Sequence, residues 1–199
     1  MKNTGRLLKR GLVVVAVPFI VTGCTALNAE PFQGQVLEEG TNKPITSAIV
    51  VARWLDTQLS LAHSSTYCAH VESTTTDGNG RYQVPHYKDR MPSLVTSYKP
   101  GYEDAWVQPK VGVTYVRPFS DGRRFKYLER VFGSTGCGAK DGSDENSIPF
   151  VKALYDEARN VAETTEEKRL LEFFLYGLEK LEFGFETAQK RHLERVKDK

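Results

Sequence analysis

The chain has 199 residues, with 27 Lys+Arg against 25 Asp+Glu, and 40% of its residues are apolar. Four of the basic residues, Lys2, Arg6, Lys9 and Arg10, fall in the first ten positions without an acidic one among them. If the first 23 residues are removed, 23 basic residues face 25 acidic ones. That balance argues against a general binder of nucleic acid or anionic lipid.

Residues 11–21 form an apolar run that contains Pro18 and is too short to cross a bilayer, which needs about 20 apolar residues. The basic start, the short apolar core and the exit Val21-Thr22-Gly23-Cys24 match a bacterial lipoprotein signal peptide. The alternatives are a failed transmembrane helix and an ordinary secretory signal cut elsewhere. The lipoprotein reading implies cleavage after residue 23, palmitate-type acylation of Cys24, and a tether over residues 24–30. Each buried methylene of such an anchor contributes about 0.8 kcal/mol, so two or three chains hold permanently. Thr25 replaces the Asp that retains enterobacterial lipoproteins in the inner membrane. The expected location is therefore the bacterial cell envelope, on the periplasmic face of the outer membrane.

Two cysteines, Cys68 and Cys137, remain once Cys24 is acylated. An even number in an oxidising compartment predicts one disulfide, the alternative being two separate buried thiols. Closing so long a loop stabilises by about 4 kcal/mol in the chain-entropy treatment.

The pattern over residues 31–132 is β. Residues 32–38 read as extended. Residues 48–54, nearly continuous and β-branched, read as a buried strand. Tyr67, Ala69 and Val71 alternate with Cys68, His70 and Glu72, which predicts a strand with one buried face. Asp77-Gly78-Asn79-Gly80 is a turn, and residues 81–84 return to make a hairpin. Further strands are predicted at 94–98, 105–108, 111–116 and 125–131. Seven or eight short strands with regular turns predict an antiparallel β-sandwich. Residues 133–147 read as a linker loop. In residues 148–197 the period becomes helical. Phe150, Val151, Leu154, Tyr155, Ala158 and Val161 mark one helix; Thr164 and Glu167 form a capping box for a second. Residues 190–199 read as a fraying charged tail. The predicted fold class is α+β: the sandwich followed by a C-terminal helical hairpin.

The β half resembles the carboxypeptidase regulatory-like domain, a prealbumin-like (transthyretin-like) sandwich. The matching units are Gly34-Gln35-Val36, Thr41-Asn42-Lys43-Pro44-Ile45, Ala48-Ile49-Val50, Thr76-Asp77, and Gly80-Arg81-Tyr82-Gln83-Val84-Pro85. Tyr98-Lys99-Pro100-Gly101-Tyr102 fits a later strand and turn, so the likeness runs from about residue 32 to 110. Ser47 stands where glycine is common, and a long stretch bearing His63, Cys68 and His70 precedes Thr76-Asp77. The resemblance implies a structural and binding module with no catalytic residues to carry over.

Chemistry-bearing residues are sparse. His63, His70 and His86 are metal candidates in type but lack the spacing of a closed zinc motif. No metal and no cofactor is expected. Residues 133–140 miss the phosphate-loop pattern because Ala139 separates Gly138 from Lys140. No serine lies in a nucleophile-elbow pattern. Trp54, Trp106 and Tyr102 are candidates for a glycan-binding surface; packing is the competing role for such rings. The apolar stripe Leu170, Leu171, Phe174, Leu175, Leu178, Leu181 and Phe185 is expected to lie on the protein's own sheet, with a homodimer through the C-terminal helices as the competitor. The expected function is that of a non-catalytic, lipid-anchored envelope module that engages another envelope protein and no nucleic acid. The alternatives are a polysaccharide-binding module and a transthyretin-like lipoprotein of a secretion apparatus.

Overall fold

The computed structural model describes residues 30–59, 64–104, 112–119, 122–135 and 138–197. Cys24, His63, Trp106 and Cys137, and the strand expected at 105–108, lie outside the described residues. The fold is mixed α+β, with two sheets and four α-helices among the described residues.

Strands β1 (Phe32–Glu38), β4 (Arg81–Val84), β6 (Tyr102–Asp104) and β7 (Val113–Pro118) form one sheet, in the order β4-β1-β7-β6. Strands β2 (Ile49–Leu59), β3 (Ser64–Thr75) and β5 (Leu94–Tyr98) form the other, in the order β3-β2-β5. All pairings are antiparallel except β1 with β7. Val50, Ala52 and Trp54 of β2 share a buried cluster with Val36, Tyr82, Val84 and Val116 of the other sheet. Val51 of β2, with Val71 and Tyr98, joins a second cluster with the helices.

The residues that carry the family likeness act on one another. The Tyr82 ring crosses Gly34 on the neighbouring strand, where a Cβ would lie 2.2 Å from the ring. The Thr76 hydroxyl accepts from Ala48 N and donates to Ile45 O, at 2.8 and 2.7 Å, inside the core. Asp77 Oδ1 accepts from Asn79 N and Arg81 N, both at 2.8 Å, and so closes the turn. Gly80 then takes φ +69° with Val36 N donating to its carbonyl. This turns the chain out of the β3 plane. Residues 81–84 therefore join β1 in the opposite sheet, and the expected β3–β4 hairpin does not form.

Three other expectations are corrected. Residues 124–135 are helix α1 (Arg124–Thr135), whereas a strand was predicted over 125–131. Phe125, Leu128 and Phe132 are all buried, and their spacing is helical; Leu128 is out of phase with a strand face. In β3 the register slips between Trp54 and Leu55 of β2, so Cys68 and Ala69 are both buried and simple alternation fails. Residues 148–197 hold three helices: α2 (Ile148–Val161), α3 (Thr165–Phe183) and α4 (Phe185–Lys197). The charged tail is helical because Arg195 grips α3, donating to both oxygens of Glu179 at 2.8 Å and to Glu172 at 3.1 Å. The expected capping box is present, with the Thr164 hydroxyl accepting from Glu167 N and Glu167 accepting from Thr164 N.

The apolar stripe of α3 meets helices rather than the sheet. Phe174 stacks on Phe132 at 4.3 Å between ring centres and lies 5.9 Å from Phe125. Gly177 permits this approach, since a Cβ there would come 2.5 Å from Phe132 Cζ.

Ser47 holds φ +53° on an exposed turn, a conformation glycine adopts without penalty. Ser47→Gly should stabilise the fold by up to about 1 kcal/mol. Gly80→Ala should destabilise it, because its Cβ would lie 2.5 Å from Val36 O. Thermal melting of the two variants checks both signs.

Candidate functional site

Sequence positions far apart converge where β3 meets the segment after residue 138. Cys68 is disulfide-bonded. Its carbonyl accepts from Lys140 N at 3.1 Å, and Lys140 Nζ sits 3.6 Å from the centre of the Tyr67 ring. His70 Nδ1 meets Asp141 Oδ2 at 2.7 Å, which makes Nδ1 the protonated nitrogen. Ser143 donates to Asp141 Oδ1 through both N and Oγ, and its Oγ accepts from Val71 N at 2.8 Å. Asn146 Nδ2 donates to Val71 O at 3.0 Å. This network fixes the expected linker loop and its 3₁₀ turn (Ser143–Ser147) onto the edge of β3.

The other face of His70 is aromatic. Its ring stacks on Tyr87, 4.3 Å away at an angle of 4°, and lies 5.3 Å from Trp54. The Trp54 indole N–H donates to Arg90 O at 2.9 Å. Trp54 is only 1% exposed. It presents no ring face to solvent, and the glycan-platform expectation for Trp54 is overturned. Tyr102 is half-buried and its carbonyl anchors Arg124; Trp106 is not among the described residues.

The chemistry open to this cluster is narrow. Ser143, Asp141 and His70 are linked in that order, so the imidazole touches the carboxylate and not the hydroxyl. A serine nucleophile needs the imidazole as its own proton acceptor. Among the described residues no group of three His, Cys, Asp or Glu side chains is placed to hold a metal ion. His70 is engaged with Asp141; His86 Nδ1 is buried without a hydrogen-bond partner.

A second polar centre joins sheet to helices, and no local sequence signal marks it. Arg124 Nε and Nη2 each donate to Glu157 at 2.7 Å, and Nη1 donates to Tyr102 O at 2.6 Å. Glu157 also accepts from Gly101 N at 3.0 Å and from the Tyr98 hydroxyl. The guanidinium lies 4.9 Å from the Phe119 ring and 5.0 Å from the Tyr127 ring. Burial pushes the Glu157 carboxyl up, but the bonds from Arg124, Tyr98 and Gly101 outweigh it and hold the group below its ordinary range. Burial and the Glu157 charge push the Tyr98 phenol well up, so it stays a donor. At Asp141 the same contest, against Ser143 and His70, ends at about 2.

The third feature is the outer side of the helical layer. Phe173, Phe183, Phe185, Leu193 and Val196 are exposed on α3 and α4. Phe173 is 58% exposed although Phe132 holds its ring edge-on at 5.4 Å. It stands between two clefts: one of about 780 Å³ against α1, and one of about 530 Å³ against residues 138–147. Among the described residues no helix is long and apolar enough to cross a membrane.

No protein-family model, no curated protein and no solved structure matches the chain.

Both carboxylates lie below their unfolded values of about 4, so their contribution is complete above that pH and is lost as pH falls through their lowered folded values, which for Asp141 is about 2. Glu157→Gln should cost about 3 kcal/mol at pH 7 by leaving Arg124 without its partner. In urea unfolding at stepped pH, the gap between parent and variant should narrow below about pH 4.

Proposed function

We propose that this chain is a non-catalytic interaction module of a bacterial cell envelope. It is tethered by lipid on Cys24 and offers the outer side of its helical layer to another envelope protein. The observation that carries the reading is the run of exposed aromatic and aliphatic side chains on α3 and α4. Contiguous apolar patches on a monomer mark interaction sites more often than chance surface. The β half is read as a carboxypeptidase regulatory-like sandwich. Support comes from the way Gly34, Thr76, Asp77, Gly80 and Tyr82, the motif residues, bond and pack together. The outer-membrane location rests on the leader alone.

Cys137 is the proposed partner of Cys68. The supporting contact is Lys140, three residues beyond it, donating its amide to Cys68 O. Cys24, the other candidate, is assigned to the lipid.

Photo-crosslinking residues placed at Phe185 and Leu193 in living cells should each give one discrete adduct, while one at Lys43, exposed between β1 and β2, should give none. Equal adducts from all three positions, or none from the helices, would contradict the reading. Intact mass of the non-reduced protein should show an acylated N-terminus and the loss of two hydrogens relative to free thiols.

A further inference from the structure

Helix α4 is fastened by one side only. Its inner side carries Ala188, which is fully buried, and Arg195, which α3 holds through Glu179 and Glu172. His192, on the same side, lies 5.4 Å from the Tyr176 ring. About a quarter turn round the helix from that side, Phe185, Gln189, Leu193 and Val196 follow one another at three- and four-residue spacing. All four are exposed, the three apolar ones by more than half. They form an apolar stripe with one polar position, running along a helix about 20 Å long.

The stripe is chemically symmetric about its own middle. Phe185 and Val196 stand at its ends, about 16 Å apart along the axis, and Gln189 and Leu193 stand inside them. Both pairs have their midpoint close to residue 191. On one flank of the stripe Glu186, in the first turn, and Lys197, in the last, have the same separation and nearly the same midpoint. Both are exposed, and neither has an ion-pair partner among the described residues. A two-fold axis at the level of residue 191 therefore sets Phe185 against Val196 and Glu186 against Lys197, each of them twice. The cations near that axis do not oppose this. Lys190 sits about 100° round the helix from the stripe. Arg191 is on the opposite side, 4.1 Å from the Phe183 ring and 3.9 Å from Glu179.

We propose that α4 pairs antiparallel with α4 of a second copy of this chain, stripe against stripe. The proposal rests on the interaction-module reading and names the molecule that meets α4. Self-complementarity decides for a second copy, because one rotation satisfies the apolar ends and the charged flank together. Charge order decides for the antiparallel sense: a parallel pair would set Glu186 against its own counterpart and Lys197 against its own. Lipid tethers, as that reading has them, hold both copies on one membrane and raise their effective concentration, so an interface of one helix pair suffices.

The test is made in living cells that express the full chain in two versions, each with its own epitope tag, one of them with a photo-crosslinking residue at Phe185. The adduct should carry both tags and have the mass of two chains. Glu186→Lys and Lys197→Glu, each introduced into both versions, should lower its yield about fivefold or more, because attraction becomes repulsion at two sites. The Glu186→Lys/Lys197→Glu double variant should restore it. That recovery separates pairing from an effect on α4 itself. Both substitutions oppose the helix dipole, so on helix stability alone the double variant would be the worst of the three. Both positions are exposed, and far-UV dichroism checks that the variants keep their helices.

The proposal is overturned if the adduct carries one tag and the mass of a different protein, if the single variants leave a two-tag adduct unchanged, or if the double variant does not recover. Each of those results leaves the interaction-module reading standing, since the parent chain still forms an adduct on its helical face. That reading fails separately, where Lys43 gives an equal adduct. No adduct from either Phe185 or Leu193 overturns both.

Discussion

Strand β2 has no solvent-facing side along its first half, and the rest of the structure follows from that. Val50, Ala52 and Trp54 point into one buried cluster and Val51 into the other. A strand apolar on both faces must be covered twice. The four-stranded sheet covers one face, and the helices, led by Phe150, Leu154 and Phe125, cover the other. The helical part is therefore a wall of the core and not an appendage. Arg124 and Glu157 set its orientation. They tie the start of α1 and the middle of α2 to Tyr98, Gly101 and Tyr102 on the sheet side. A buried pair of this kind contributes little net stability over an apolar pair, but its geometry admits few alternative packings.

This arrangement has a consequence for the outer surface. With its inner side committed to the sheet, the helical layer can offer only its outer side to a partner. Gly177 lets Phe132 press into α3, and Phe132 in turn props Phe173 outward. An exposed aromatic held rigidly loses little conformational freedom on binding, which is the property of an interface anchor. The Lys140 amide on the Cys68 carbonyl and the His70–Asp141 contact fasten residues 140 and 141, between α1 and α2, to β3.

What was legible in the sequence was local. Residues 81–84 and 94–98 form strands as read: the first alternates exposed and buried side chains after a turn, and the second is bracketed by Pro92 and Pro100. The capping box at Thr164 is a four-residue event and was visible for the same reason. The near-continuous apolar run at 48–54 already signalled burial on both faces. Helix α1 was missed because Phe125, Tyr127 and Val131 also satisfy a period of two, and only the out-of-phase Leu128 and Phe132 discriminate. The β3–β4 turn was read correctly as a turn, but Gly80's positive φ, which carries β4 into the other sheet, is not a sequence-level quantity. Pairings such as His70 with Asp141, Arg124 with Glu157 and Arg195 with Glu179 span 71, 33 and 16 positions. No pattern of neighbours encodes them. The same holds for the burial of Trp54, whose aromatic character fits a core and a binding platform equally well.

Native-state hydrogen exchange tests the central claim most directly, that sheet and helices share one core and open together. The account predicts that the amides of Val51 in β2 and Leu154 in α2 exchange through the same global opening, with equal free energies and equal denaturant dependence. If Leu154 and its helical neighbours exchanged through a smaller opening that left Val51 protected, the helices would be a separate unit and the account would fail.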